Sequence, residues 1–395
     1  MINYERLLNS RIKGTKPSGI RKYFDMAETM DNVISLGVGE PDFKTPWVVR
    51  QAAIDILEKG RTNYTANSGL IELRKEIARY INKKLGLDYD PKNEIIVTVG
   101  GSEAIDLAIR CIVEPGDEVL ICEPSFVCYR PIAELVGGKV VSIETKAENE
   151  FRLTAEELKS KITDKTKLLI LPFPNNPTGA IMTREDLEAV AEVLKDTNIA
   201  VISDEIYSEL TYGEKHCSLA QIGDMKERTI IVDGFSKAYA MTGWRLGFLA
   251  GPKPLIEQML KLHQYAIMSS PTVSQYAAIK ALRECDADIV KMRNEYNARR
   301  RYLVDAFNKL GLECFTPKGA FYVFPCIKST GLTSDEFCER LIMSKRVAVV
   351  PGNAFGDCGE GYIRVSYAYS ISHLKEAIRR ITEFLDELKS GEESL

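Results

Sequence analysis

Lys237 sits among small residues in the run from Gly234 to Gly247, and Arg245 follows it eight positions later, next to an apolar stretch. An amine confined in an apolar pocket loses its proton more readily and becomes a nucleophile toward carbonyl carbon. A guanidinium beside it can hold a dianion by a two-pronged contact. A lysine that attacks carbonyls next to an anion clamp is what pyridoxal phosphate chemistry needs. The plain alternative is a surface lysine ahead of a strand.

The rest of such a site follows from the cofactor's needs. Its ring nitrogen must stay protonated for the ring to accept electrons, and a buried carboxylate opposite it favours that charged form. Asp204 closes the apolar run 199–203, and ligands of open α/β sheets bind beyond the carboxyl ends of strands. A helix or turn cap is the alternative for Asp204. Tyr207, three residues on, offers a hydroxyl to the ring's phenolic oxygen. Asn176, in the sequence Asn176-Pro177-Thr178-Gly179, offers an amide to the same oxygen, although this tetrapeptide is first a turn signal.

Gly100, Gly101, Ser102 and Glu103 lie between a strand and a helix. Glycines permit close approach, and a helix start presents free amides to an anion. This suits the cofactor phosphate, with Arg245 as counter-charge. The Gly-Lys-Ser/Thr ending of a nucleotide loop is absent. Glu103 is an awkward neighbour for phosphate, so its side chain is expected to turn away while its amide serves. Phe126, after another strand end, either stacks on the ring or is a core aromatic. Arg364 lies within the apolar run 363–368. A guanidinium there needs a partner, either a substrate carboxylate or an internal acid.

These residues require a scaffold that gathers strand ends. Apolar runs at 95–99, 118–122, 140–143, 167–172, 199–203, 229–232 and 245–250 alternate with helical patterns at 102–112, 154–162 and 183–195. Such alternation predicts a mostly parallel sheet covered on both faces by helices. Thr183 with Asp186 reads as a helix start close to a capping box. The charged stretch 282–308 is predicted as one long helical connector. Beyond it, 319–324, 347–350 and 363–368 read as strands, and 334–344 and 372–388 as helices, a smaller α+β unit. The polar tail 389–395 is expected to fray.

At 395 residues the chain exceeds one ordinary domain. Its 45% apolar and 27% charged content is that of a soluble globular protein. A net charge of −4 offers no basic surface for nucleic acid. No apolar run reaches the roughly 18 residues of a membrane span, and the start has no signal-peptide core. Nine cysteines without a Cys-x-x-Cys pair point to reduced thiols in a cytoplasm. His216, His263 and His373 lie far apart in sequence, which argues against a metal centre or a serine–histidine triad.

Taken together, the stretch Gly37 to Phe43, the motifs above and the Arg364 strand resemble the class I/II aminotransferases of the aspartate aminotransferase superfamily. The likeness runs almost end to end. It implies the pyridoxal-phosphate-dependent transferase fold type I, an α/β protein. Its large domain holds a mostly parallel seven-stranded sheet sandwiched by helices, beside a smaller α+β domain. The implied division is 1–45 as N-terminal arm and part of the small domain, 46–285 as the large domain and 286–395 as the small one. Lys237 looks like the Schiff-base lysine, Asp204 like the ring-nitrogen partner, and Phe126 like the stacking residue. Tyr207 and Asn176 look like the phenolic-oxygen contacts. Gly101, Ser102, Glu103 and Arg245 look like phosphate contacts, with Ser236 beside them. Arg364, Asn176 and the backbone of Gly39 look like ligands of the substrate carboxylate. Tyr64 matches a tyrosine that reaches the neighbouring subunit's phosphate, which implies a homodimer with shared sites. Gly234 departs from the pattern, since many relatives carry a hydroxyl residue there; its contact is lost or moved to Ser236.

The implied activity is ping-pong transfer of an amino group between an L-amino acid and a 2-oxo acid, with 2-oxoglutarate as the expected acceptor. Segments 35–43, 204–210, 234–248 and 347–352 are nearest in wording to bacterial N-acetyl-diaminopimelate aminotransferases. The expected donor is of that kind or aspartate-type. An aromatic amino acid aminotransferase and a cystathionine lyase-like β-lyase are the alternatives. Ser102 stands where some aspartate-specific relatives have a lysine for the side-chain carboxylate. Arg21, in the N-terminal arm, is either a replacement for that charge or a solvated residue.

Overall fold

The apolar runs assemble into one sheet. The computed structural model describes residues 2–17 and 19–391, so part of the tail expected to fray, 392–395, lies outside the described residues. The sheet strands are β2 (Ile95–Thr98), β3 (Glu118–Glu123), β4 (Lys139–Glu144), β5 (Thr166–Leu171), β6 (Ala200–Asp204), β7 (Thr229–Gly234) and β8 (Gly247–Ala250). Their order is β2-β8-β7-β6-β5-β3-β4. Only β8 runs against its neighbours. Being covered on both faces, β2, β3, β7 and β8 are buried along their whole length. Val97, Ile231 and Phe248 pack under the helices Trp47–Glu58, Ile71–Leu85 and Thr272–Glu284. Ile96, Ile202, Ile230 and Leu249 pack beneath Gly101–Ile112 and Lys253–Ala266. Alternate residues of one strand thus feed opposite cores.

The helix starts follow their caps. Thr183 Oγ1 accepts from the Asp186 amide at 3.2 Å, and Asp186 Oδ2 accepts from the Thr183 amide at 2.9 Å, completing a capping box with Asp in the Glu position. Two smaller sheets stand beside the main one. In the first, β1 (Ile34–Ser35) pairs in parallel with β10 (Val347–Ala348). In the second, β11 (Val350–Pro351), β12 (Ile363–Ser366) and β9 (Tyr322–Val323) lie antiparallel. Among the described residues, no helix is long and apolar enough to cross a membrane.

Several element bounds differ from the sequence reading. The run 347–350 is split at Val349, and its halves serve two sheets. The run 319–324 contracts to Tyr322–Val323, because Gly319 instead bridges to Thr211. The connector 282–308 breaks at Cys285 into Thr272–Glu284 and Asp286–Lys309. Asp286 and Asp288 fall in the first turn of the second helix, where acids suit the free amides. Arg245 lies outside its strand: it adopts φ 50° on leaving the turn Thr242–Trp244, and its guanidinium comes up against Gly100.

Candidate active site

A cavity of about 740 Å³ opens at the carboxyl edge of the main sheet. Strand ends supply most of its wall: Asp204 from β6, Ser236 and Lys237 after β7, Gly101 and Ser102 after β2, Phe126 after β3 and Asn176 after β5. Gly39, Tyr207, Arg245 and Arg364 line it too. Of the residues expected from the resemblance to touch cofactor or substrate, two are not in this wall. Glu103 turns away: its Oε2 accepts from the Val99 amide, and its Oε1 lies 2.6 Å from Nδ1 of the buried His263. Tyr64 stands outside the cavity of its own chain and is 82% exposed.

Lys237 Nζ donates to the carbonyl of Gly39 at 2.6 Å. Burial lowers its pKa from 10.5 to about 8; Glu40 pulls it upward, while Arg364 and Arg245 add to the lowering. The amine is therefore easily neutralised, as a nucleophile must be. Asp204 is 7% exposed. Its Oδ2 accepts from the Tyr129 hydroxyl at 2.7 Å and its Oδ1 from the Ile206 amide at 3.3 Å. Burial pushes its pKa from 3.8 up to about 6, against the pull of those two hydrogen bonds. A carboxyl so placed favours a cation set against it.

Arg364 is 2% exposed. One terminal nitrogen donates to Asn176 Oδ1 at 2.8 Å and the other to the Gly37 carbonyl, while Nε has no partner. No carboxylate pairs with it among the described residues, so the internal salt bridge considered from sequence is absent. Its Cζ lies 4.6 Å from the Tyr322 ring centre and 4.8 Å from that of Phe355. A buried guanidinium without a counter-anion is a receptor for one.

At the other end of the cavity, Arg245 donates to the Thr242 carbonyl at 3.1 Å and also lacks an acidic partner among the described residues. A Cβ at Gly100, where φ is +79°, would lie 2.9 Å from its guanidinium. The amides of residues 101–103 make no hydrogen bond among the described residues, leaving a helix start free for an anion. Gly234 has a packing reason to be glycine. A Cβ there would meet Gly247 Cα at 2.9 Å, and a Cβ on Gly247 would meet Gly100 at 2.7 Å. Three backbones stack beneath the anion cradle, so a hydroxyl side chain at 234 does not fit.

A buried amine with a lowered pKa, a buried carboxyl, a helix start with free amides beside Arg245, and the buried guanidinium of Arg364 thus share one cavity. This set fits pyridoxal phosphate together with an amino acid. Sequence reasoning missed Glu40, Tyr129 and Tyr322, which also line it. Tyr129 follows Phe126 by three residues, a spacing that could have flagged it. Tyr322 sits in the run Phe321 to Phe324, which reads only as core.

The model of the family described as aminotransferase class I and II matches residues 31–381. A Bacillus subtilis (strain 168) protein bearing only the general name aminotransferase is 52% identical over 378 residues, covering 96% of this chain and 98% of its own. The aspartate aminotransferase of Pyrococcus abyssi is 47% identical, covering 97% of this chain and 99% of its own. The crystal structure of an aromatic aminotransferase from Pyrococcus horikoshii superposes with a TM-score of 0.89 at 47% identity, over 93% of this chain and 99% of that one.

Proposed function

We propose that this chain, which belongs to the class I and II aminotransferase family, carries out its reaction in the cavity around Lys237. The protein is an aminotransferase that uses pyridoxal phosphate and moves an amino group between an amino acid and a 2-oxo acid. When bound, the cofactor supplies an aldehyde that captures amines and a ring that accepts electrons from the substrate's Cα. The residue roles are our reading. Arg245, the amides of 101–103 and Ser236 hold the phosphate. Asp204 holds the ring nitrogen as a cation, Tyr207 and Asn176 meet the phenolic oxygen, and Phe126 covers a ring face. Arg364, with Asn176 and the Gly39 backbone, holds the substrate carboxylate. Lys237 Nζ removes and returns the Cα proton, a service worth about 10²–10⁴-fold in rate.

The observation that carries this reading is Arg364, buried with no carboxylate partner among the described residues and facing the cavity that holds Lys237 and Asp204. Charge accounting then asks for an anion from outside.

For the donor, an aspartate-type substrate is favoured by the name of the Pyrococcus abyssi relative. Arg21 lines the cavity, but it is exposed and paired with Asp25 at 3.0 Å, so it offers no free charge for a second carboxylate. An aromatic donor is favoured by Ile20, Val38 and Val127 in the same wall and by the Pyrococcus horikoshii structure. Acetylated diaminopimelate remains in the donor panel. Tyr64 serves the neighbouring subunit of a homodimer. Its support is exposure beside Ile267, Met268 and the 93% exposed Tyr265, with Asn67 and Asn63 bonded to Met268 and Thr272. We place the large domain at 46–285, and the small one at 286–395 with part of 1–45; the β1–β10 pairing supports that last assignment. A cytoplasmic home accords with nine unpaired thiols.

The test mixes holoenzyme with aspartate, phenylalanine or acetylated diaminopimelate and follows the cofactor's absorbance and the 2-oxo acid formed. Stoichiometric 2-oxo acid, with a KM raised about a hundredfold or more in Arg364→Gln, supports the reading. Release of homocysteine, pyruvate and ammonia from added cystathionine, with no amino transfer from those donors, would favour the lyase alternative.

A further inference from the structure

We propose that Tyr322 is a positioning residue for both halves of this site, through its hydroxyl on Tyr207 and its ring on Arg364. The inference rests on the reading that Tyr207 meets the cofactor's phenolic oxygen and Arg364 the substrate carboxylate. Tyr322 is 1% exposed and belongs to β9 of the small sheet, whereas Tyr207 follows β6 of the main one. Their hydroxyls lie 2.8 Å apart, and the Tyr322 hydroxyl has no other hydrogen bond among the described residues. The Arg364 Cζ stands 4.6 Å from the Tyr322 ring centre. Gly39 makes room for this arrangement, because a Cβ there would fall 2.5 Å from the Tyr322 hydroxyl. The carbonyl of Gly39 also accepts from Lys237, so Tyr322 stands at the meeting point of the amine, the phenol partner and the carboxylate receptor.

The direction of the tyrosine pair follows from counting protons. Each hydroxyl has one proton to give. When Tyr207 gives its proton to the phenolic oxygen, the bond between the tyrosines survives only if Tyr322 donates. A donor that itself accepts a hydrogen bond becomes a stronger donor. Tyr322 therefore aims the Tyr207 proton at the cofactor and favours the cofactor's deprotonated phenolic form. The ring does separate work: it lies against a guanidinium with no carboxylate partner among the described residues, one that the substrate would supply.

Two variants separate the functions, both studied as holoenzyme. Tyr322→Phe keeps the ring and loses the hydroxyl. The pH midpoint of the bound cofactor's absorbance should rise by roughly half to one unit, the range of one neutral hydrogen bond. Binding of succinate or 3-phenylpropionate, unreactive carboxylates, should stay within about threefold of the parent, since the ring remains. Tyr322→Leu loses both groups, and the same carboxylates should bind about 5- to 30-fold more weakly, the range for a desolvated cation over a ring. An unmoved midpoint in Tyr322→Phe overturns the hydroxyl's role, and unchanged carboxylate binding in Tyr322→Leu overturns the ring's. If the unmutated protein itself shows no titrating cofactor absorbance, the failure lies in the site assignment and not in Tyr322.

Discussion

Replacing Asp204 by Asn should stabilise the cofactor-free protein while weakening its hold on pyridoxal phosphate. Burial moves this carboxyl from 3.8 up to about 6. A group whose folded pKa is raised binds more protons folded than unfolded between those two values. Stability is then lost as pH rises through that window, and the full penalty is present above about 6. The two-unit difference corresponds to about 3 kcal/mol at pH 8, shrinking to about 1 kcal/mol at pH 4.5. Asparagine keeps the shape and an oxygen for the Tyr129 hydroxyl, gives up the long 3.3 Å bond from the Ile206 amide, and carries no charge. Melting of the cofactor-free forms should therefore place Asp204→Asn a few degrees above the parent at pH 8, with a much smaller gap at pH 4.5. Saturating pyridoxal phosphate should reverse the order, because only the parent offers a carboxylate to the ring cation and gains the full binding linkage. A gap of equal size at both pH values, or an order unchanged by cofactor, would refute the assignment of Asp204 as the strained acid.

Other perturbations follow from the same geometry. The rate at which cofactor-free protein combines with pyridoxal phosphate should climb about tenfold per pH unit below the lysine's pKa and level off above it. With Lys237 held at about 8, a rate still climbing steeply at clearly more alkaline pH contradicts that value. Gly234→Ser should cost about 1–3 kcal/mol through the clash with Gly247 and should not tighten cofactor binding; tighter binding with unchanged melting would mean that the stacked glycines can yield. In the proposed shared-site dimer, Tyr64→Ala and Lys237→Ala proteins should each be impaired. Refolded together, they should regain roughly a quarter of the parental sites, as random pairing of subunits with one intact shared site requires. No recovery on mixing would count against a tyrosine lent across subunits.

The local parts of this site were legible in the sequence because strand ends announce themselves. An apolar run followed by a polar residue marks Asp204, Asn176 and Phe126, and a glycine pair before a helical pattern marks residues 100–103. The main sheet was readable for the same reason, its seven strands falling on seven apolar runs. The Glu103 side chain was expected from charge alone to point away from the phosphate, and it does turn from the cavity, although nothing local named the buried His263 as its partner. The misreadings fell where a few residues had to choose between sheets, as at 347–350, or where a left-handed residue ended a turn, as at Arg245. The glycine at 234 read as a lost contact because its neighbours in space, Gly247 and Gly100, are remote along the chain.

Chemistry-bearing side chains and the alternation of strand and helix were fixed by short-range patterns of polarity, which a linear chain carries openly. What the tertiary structure alone decided is which group answers which: Tyr129 to Asp204 across 75 residues, Tyr322 to Tyr207 across 115, Arg364 to Asn176 across 188. Buried tyrosines and arginines take their character from the partner they meet and the water they lose. Both are set only when distant strands pack together.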